Sequence, residues 1–174
     1  MPIAQYLDMV LFLLVSIAAV NDLSTRRIPN RLLLAGLACA LGLHLMSADP
    51  GASVLTALGG MAVGLAVFLP FYLVRGMAAG DVKMMAVVGA FAGPAEAIEI
   101  AVLSWCAGGV MALLLIVLRG HMRPVLGNLG RMLRAAMMPG VAIAAPAQQT
   151  SVGSMPYGLA IAVGTITVLL GHYG

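Results

Sequence analysis

Long apolar stretches, separated by short groups of polar residues, run through the whole chain. They cover about residues 3–20, 32–47, 52–74, 82–94, 100–118 and 156–171. A helix needs about 20 apolar residues to cross a bilayer, so these stretches predict six transmembrane helices. The fourth is short, because only 12 uncharged residues separate Lys83 from Glu96, and we expect it to be tilted or partly re-entrant. The predicted fold class is all-α: a polytopic membrane helix bundle that forms one domain over residues 1–174.

The composition supports a membrane protein. The residues AVILMFWYC make up 62% of the chain and DEKR only 9%, against about 45–50% and about 25% in soluble domains. So little charge cannot cover a water-exposed surface, which excludes a soluble globular domain, a disordered chain and a nucleic-acid-binding module. No basic segment precedes the first apolar stretch, so we expect no cleavable signal peptide.

The basic residues predict the topology. All nine fall in the first, third and fifth connections between the predicted helices, whereas Asp49, Glu96 and Glu99 fall in the others. Because cytoplasmic loops are enriched in Lys and Arg, this pattern places both termini outside and the odd-numbered connections in the cytoplasm. The basic residues are Arg26, Arg27, Arg31, Arg75, Lys83, Arg119, Arg123, Arg131 and Arg134.

Two further patterns bear on packing. Apolar and basic residues alternate at helical spacing over residues 124–138, which predicts an amphipathic helix. It either lies on the anionic cytoplasmic leaflet or packs on the bundle, and the sequence supports both equally. Gly60 with Gly64, and Gly89 with Gly93, have the G-x-x-x-G spacing that permits close helix packing.

Most kinds of chemical site have no support in the sequence. The three histidines, His44, His121 and His172, belong to different parts of the predicted topology, and Cys39 and Cys106 are isolated in apolar stretches. We therefore expect neither a metal site nor a disulfide. Serine-hydrolase and nucleotide-binding motifs are also missing, and no cofactor is predicted.

Two carboxylates are placed differently from the others. Asp22 ends the first predicted helix and Asp81 begins the fourth, so the topology places both at the cytoplasmic face. Two carboxylates held close together do not both ionise easily, so one keeps a proton while the other stays charged. Such a pair can activate a water molecule and protonate a peptide leaving group. The sequence predicts that Asp22 and Asp81 meet.

The neighbouring residues fit this role, but plainer roles are also open. Gly76 and Gly80 are expected to allow backbone conformations and close approaches that a side chain would block. Pro29 is expected to force Ile28 into an extended conformation and so prevent the first helix from continuing. Alternatively, Asp22 is a loop residue paired with a neighbouring arginine, and Asp81 is the N-cap of the fourth helix. The residues alone favour neither interpretation.

Three motifs in this order resemble those of the type IV prepilin peptidases, membrane aspartic proteases of the G-x-G-D class. Residues 22–30, DLSTRRIPN, are similar to the family's first aspartate motif, and residues 76–83, GMAAGDVK, to the second. Residues 155–158, MPYG, resemble the P-[FY]-G that opens the last helix. One departure is Ala78, where family members usually carry glycine.

The resemblance implies an aspartic endopeptidase of the bacterial inner membrane, with Asp22 and Asp81 as catalytic residues. Gly76, Gly80, Lys83 and Pro29 would support the motifs or bind substrate. The implied substrate is a prepilin whose short basic leader is cut at the cytoplasmic face, next to a glycine. Lys83 or Arg75 would attract an acidic residue of the substrate or, as an equal alternative, lipid headgroups.

The resemblance is closest to the short, peptidase-only branch that serves Flp/Tad-type pilus assembly. The cytoplasmic insertion with paired cysteines, linked to N-methylation in bifunctional members, is not expected here. Two other hypotheses remain: a small proton- or cation-coupled transporter that uses the same two carboxylates, and a non-catalytic assembly component. Both transporter carboxylates would be expected nearer the membrane midplane, and no internal repeat is evident. The sequence leaves the oligomeric state open.

Overall fold

The computed structural model describes residues 2–74, 76–118 and 156–173. These residues form six α-helices and no strand, so the all-α prediction is confirmed for them. The predicted amphipathic segment 124–138, Arg75 and His121 lie outside the described residues. The helices are α1 (Pro2–Thr25), α2 (Asn30–Leu45), α3 (Pro50–Leu73), α4 (Ala79–Ala92), α5 (Pro94–Leu118) and α6 (Tyr157–Gly171).

The chain divides into two compact units. The larger comprises Met1–Gly108 and Pro156–Gly174, and the smaller comprises Gly109–Met155. Of the smaller unit, the structure describes the last ten residues of α5, which expose apolar side chains such as Leu113 and Val117. The prediction of a single domain stays a prediction.

Three helices are long and apolar enough to cross a membrane, over Ile3–Thr25, Pro50–Leu73 and Pro94–Leu115. The helices α2 and α6 are shorter apolar helices of 16 and 15 residues. The fourth predicted span is α4, with 14 residues. At 1.5 Å per residue it is about 21 Å long, less than the roughly 30 Å of a bilayer's hydrocarbon core. Six membrane crossings remain a prediction.

The short helix α4 lies at the centre of the larger unit. Every residue from Asp81 to Phe91 is buried except Lys83. Helices α1, α2, α3 and α6 all pack against it. Helices that are apolar on almost every side are typically enclosed by protein or lipid. The burial of α4 therefore accounts for its lack of a polar face.

Glycines allow α3 and α4 to pack with their backbones in contact, as the G-x-x-x-G spacing predicts. A Cβ atom at Gly60 would overlap the carbonyl of Gly89, and one at Gly64 would overlap the carbonyl of Met85. Gly93 has φ +83°, which favours glycine, and it forms the single-residue link between α4 and α5.

Two helix boundaries differ from the prediction. Helix α1 continues past residue 20 through Asp22 to Thr25. The side chains of Asn21, Ser24 and Thr25 hydrogen-bond to carbonyls one turn earlier, so these polar residues do not break the helix. Helix α5 begins at Pro94 rather than near residue 100. Proline is favoured in a first helical turn. Because the helix begins at Pro94, Glu96 lies inside it.

The carbonyl of Ala90 lies in the last turn of α4, where intrahelical donors run out. The buried ring of His44, on α2, lies with Nε2 3.0 Å from this oxygen. Residue 94 is a proline and has no N–H to offer. His44 therefore satisfies a buried carbonyl, a structural role that the sequence did not reveal.

Candidate active site

Asp22 lies in the last turn of α1, with a relative exposure of 6%. Its Oδ2 atom accepts a hydrogen bond of 2.7 Å from the backbone N–H of Gly158, in the first turn of α6. Arg26 is near enough for electrostatic attraction to the carboxyl group. Asp22 is thus a helical residue oriented by a distant backbone amide, and the alternative of a loop residue is wrong.

Asp81 is the third residue of α4 and is also 6% exposed. The N-cap of this helix is Ala78, so the alternative that Asp81 is the N-cap is wrong. The Asp81 backbone N–H instead donates a 3.1 Å hydrogen bond to the carbonyl of Ala78. An acidic side chain in a first turn also interacts favourably with the helix dipole.

Asp22 and Asp81 are both buried and lie within electrostatic range of each other. The carboxyl groups of Asp22 and Asp81 interact electrostatically. The Asp81 carboxyl group also interacts electrostatically with the phenol of Tyr157. These three residues belong to α1, α4 and α6, so the ends of three helices meet at one buried polar site. In the part of the chain that the structure describes, no buried side-chain oxygen or nitrogen lacks a hydrogen-bond partner.

Gly158 lies directly against Asp22, so a side chain at this position would force one of the two to shift. A Cβ atom there would lie 2.8 Å from Oδ2 and 3.1 Å from Cγ of Asp22. The P-[FY]-G motif thus supplies both an amide donor and the space for the carboxyl group. Sequence reasoning noted this motif but gave neither Tyr157 nor Gly158 a place in the site. The motif lies at the predicted inner end of the last helix, and this position was the signal that could have placed Tyr157 and Gly158 near the aspartates.

Around Asp81, the expectation about glycine is wrong for Gly80, which does not have a positive φ. The backbone conformation expected of Gly76 stays a prediction, because its neighbour at residue 75 lies outside the described residues. Among the described residues, a Cβ at Gly80 would approach Ile28 no closer than 3.7 Å, and one at Gly76 would lie 3.4 Å from the Phe71 carbonyl oxygen. Both are ordinary contacts, so the described residues crowd neither glycine. Ala78, which departs from the family pattern, has φ −79° and ψ 149°, a conformation open to alanine.

The first motif turns the chain from α1 into α2. Helix α1 ends at Thr25, and Arg26, with φ +52°, takes the left-handed conformation common just after a helix. Pro29 is the N-cap of α2, and its carbonyl accepts hydrogen bonds from the N–H groups of Leu32 and Leu33. Residues 27–29 are not helical, which agrees with the expected effect of Pro29. Proline therefore begins the second helix as much as it prevents the first from continuing.

The comparison with known families agrees with these motifs. The sequence model of the type IV leader peptidase family matches residues 9–113, which include both Asp22 and Asp81. The chain belongs to the type IV leader peptidase family. No curated protein and no solved structure matches the chain. Family membership indicates a membrane protease, and the matched region contains the first two of the three motifs.

An aromatic cluster lies beside the site of this leader peptidase. The ring of Tyr157 meets Phe68 edge-on, with centroids 6.0 Å apart. Phe68 stacks on Trp105 at 6.2 Å, and Trp105 meets Phe71 at 5.3 Å. Gly108 gives room for the Tyr157 ring, because a Cβ there would lie 2.7 Å from it. The cluster ties α3, α5 and α6 together next to the carboxyl groups.

A second polar cluster lies at the opposite end of α1 and α6. Tyr173 donates a 3.1 Å hydrogen bond from its hydroxyl to Asp8 Oδ2. His172 lies with Nδ1 3.4 Å from the same oxygen and Nε2 3.6 Å from Glu96 Oε1. Asp8 therefore binds the residues that follow α6. The described residues contain no group of three or more His, Cys, Asp or Glu that could hold a metal ion.

Proposed function

We propose that this leader peptidase is an aspartic endopeptidase in which Asp22 and Asp81 hydrolyse the peptide bond between the leader and the mature part of a type IV, Flp-type prepilin. The observation that carries the proposal is the burial of two carboxyl groups, from separate helices, within electrostatic range of each other. Family membership supplies the reaction class, because the matched region contains both aspartates.

In the proposed reaction, one carboxylate takes a proton from water, and the water oxygen attacks the scissile carbonyl carbon. The second carboxyl group, which is protonated, hydrogen-bonds to the carbonyl oxygen and stabilises the negative charge that develops there. When the tetrahedral intermediate collapses, the C–N bond breaks. The leaving amine takes the proton that the first carboxylate received from water. The Gly158 amide holds the Asp22 carboxyl group in one orientation throughout.

We place this reaction at the cytoplasmic face of the bacterial inner membrane. The basic residues among those described, Arg26, Arg27, Arg31 and Lys83, belong to the connections and helix ends near the aspartates. The positive-inside rule assigns that end to the cytoplasm. A prepilin with its apolar helix in the membrane and its short basic leader in the cytoplasm would then present the scissile bond beside Asp22 and Asp81.

Coexpression of the enzyme with a prepilin tests the proposal. We expect Asp22→Asn and Asp81→Asn each to lower leader cleavage by about 10²–10⁴-fold, the usual contribution of a general acid or base. Asp49→Asn is the matched control. It makes the same change of side chain at an aspartate with a different role, the N-cap of α3. Cleavage is read from prepilin length at equal amounts of enzyme in the membrane.

Normal cleavage by both aspartate variants would exclude the two residues as the catalytic pair. Lost proton or cation flux with unchanged prepilin length would indicate the transporter hypothesis instead. Normal pilus assembly without either carboxylate would indicate a non-catalytic component. The absence of N-methyltransferase activity stays a prediction, and a methylation assay on the mature pilin tests it.

A further inference from the structure

Lys83 and Asn30 join the two aspartate motifs. The Lys83 ammonium donates a 3.3 Å hydrogen bond to Oδ1 of Asn30, across 53 positions of sequence. Asp81 lies in the first turn of α4 and Lys83 two residues later, whereas Asn30 is the first residue of α2. Lys83 is also the one exposed residue in an otherwise buried stretch of that helix. Its side chain therefore reaches away from the core towards the α1–α2 connection.

A second contact holds the same two segments together. Ile28 packs against the hydrophobic core, and its side chain lies against Gly80, where a Cβ would be 3.7 Å away. Residues 28–30 thus run alongside residues 80–83, with an apolar contact at one end and a polar contact at the other. Only four residues, 26–29, separate α1 from α2. Whatever fixes Asn30 against α4 therefore also fixes the end of α1 that carries Asp22.

We propose that Asn30 and Lys83 are positioning residues, whose hydrogen bond sets the first turn of α4, and with it Asp81, against Asp22. This rests on the proposed function of the two aspartates. It assigns a role to Asn30, which the motif comparison left without one. It also assigns Lys83 a partner within the chain, in place of an acidic residue of the substrate or a lipid headgroup.

Kinetics with purified enzyme and a prepilin substrate separate positioning from substrate binding. A net hydrogen-bond contribution of this kind corresponds to about a three- to tenfold change in rate. We therefore expect Asn30→Ala and Lys83→Met each to lower kcat by about three- to tenfold with little change in KM. The double variant should be no slower than the slower single variant, because both changes remove the same contact.

Two further variants sharpen the result. Asn30→Asp keeps an acceptor for Lys83 and is expected to retain kcat within about twofold, since an ion pair replaces the hydrogen bond. Arg31→Met is the matched control for lost positive charge, because Arg31 is the neighbouring exposed basic residue. If Lys83 instead bound an acidic group of the substrate, Lys83→Met and Asn30→Asp would both raise KM and Asn30→Ala would do nothing. That pattern would overturn the proposal.

A measurement that does not use activity keeps this proposal distinct from the proposed function. Cysteines introduced as Asn30→Cys and Lys83→Cys, with Cys39 and Cys106 replaced by serine, should be joined by a short bifunctional thiol reagent. Crosslinking, together with no prepilin cleavage by the protein that keeps Asn30 and Lys83, would mean that the contact exists and the proposed function fails. No crosslinking in an enzyme that cleaves normally would overturn the positioning role alone.

Discussion

Replacing Gly158 with alanine places a methyl group directly against the Asp22 carboxyl group. The added carbon would lie 2.8 Å from Oδ2, closer than real Cβ contacts allow, so either α6 or the carboxyl group must move. Such overpacking costs about 1–3 kcal/mol, and the 2.7 Å amide hydrogen bond to Oδ2 is weakened as well. If about 2 kcal/mol of this appears in the barrier to hydrolysis, leader cleavage slows by about 30-fold.

The control for this variant is on the same helix. A Cβ at Gly164 would lie 2.6 Å from Ser104 Oγ and 2.8 Å from the Ile100 carbonyl oxygen, so Gly164→Ala is similarly crowded but faces α5. We expect both variants to lose thermal stability in detergent and only Gly158→Ala to lose kcat per folded molecule. Gly171→Ala should behave as wild type, because none of the described residues comes within 4 Å of a Cβ placed there. Equal kcat for Gly158→Ala and Gly164→Ala would refute the reasoning.

Three other variants test the surrounding structure. Gly89→Val forces a side chain into the Gly60 backbone and should reduce the free energy of unfolding by about 3 kcal/mol or more; folded protein of normal stability would contradict the backbone contact. His44→Leu should cost about 1–3 kcal/mol by leaving the Ala90 carbonyl without its donor, and His44→Gln less; equal unfolding midpoints would count against the hydrogen bond. His172→Gln should leave both leader cleavage and the unfolding midpoint nearly unchanged, because partly exposed ion pairs contribute little and the cluster lies away from Asp22. A large loss of cleavage would show coupling between the two ends of α6.

Much of the architecture follows from hydrophobic patterning, because membrane helices must satisfy their own backbone hydrogen bonds. The positions of all six described helices, and the close approach at Gly60 and Gly89, were predictable in this way. The end of α1 was not, because side chains such as Ser24 return hydrogen bonds to their own helix. Hydrophobic periodicity cannot show that polar residues will continue a helix, because their side chains bond to carbonyls of that helix one turn earlier.

The site was predictable in part. The topology predicts that Asp22 and Asp81 share one depth, and in the structure both are buried within electrostatic range of each other. The Gly158 amide could not be found from spacing, because it comes from a helix 136 positions away. The role expected of Gly80 also failed, because its conformation is one that any residue adopts and its nearest described neighbour is an ordinary contact away.

The central claim is that the carboxyl groups of Asp22 and Asp81 face each other across one site. The most direct test introduces Asp22→Cys and Asp81→Cys together, with Cys39 and Cys106 replaced by serine, and treats the membranes with a short bifunctional thiol reagent. We expect an intramolecular crosslink, read as two fragments that stay joined in a denaturing gel after cleavage at a protease site introduced between α2 and α3, at residues 46–48. The control pair, Asp22→Cys with Asp49→Cys, should give none. A normal, folded Asp22→Cys/Asp81→Cys protein that never crosslinks, while each thiol alone remains reactive, would contradict the account.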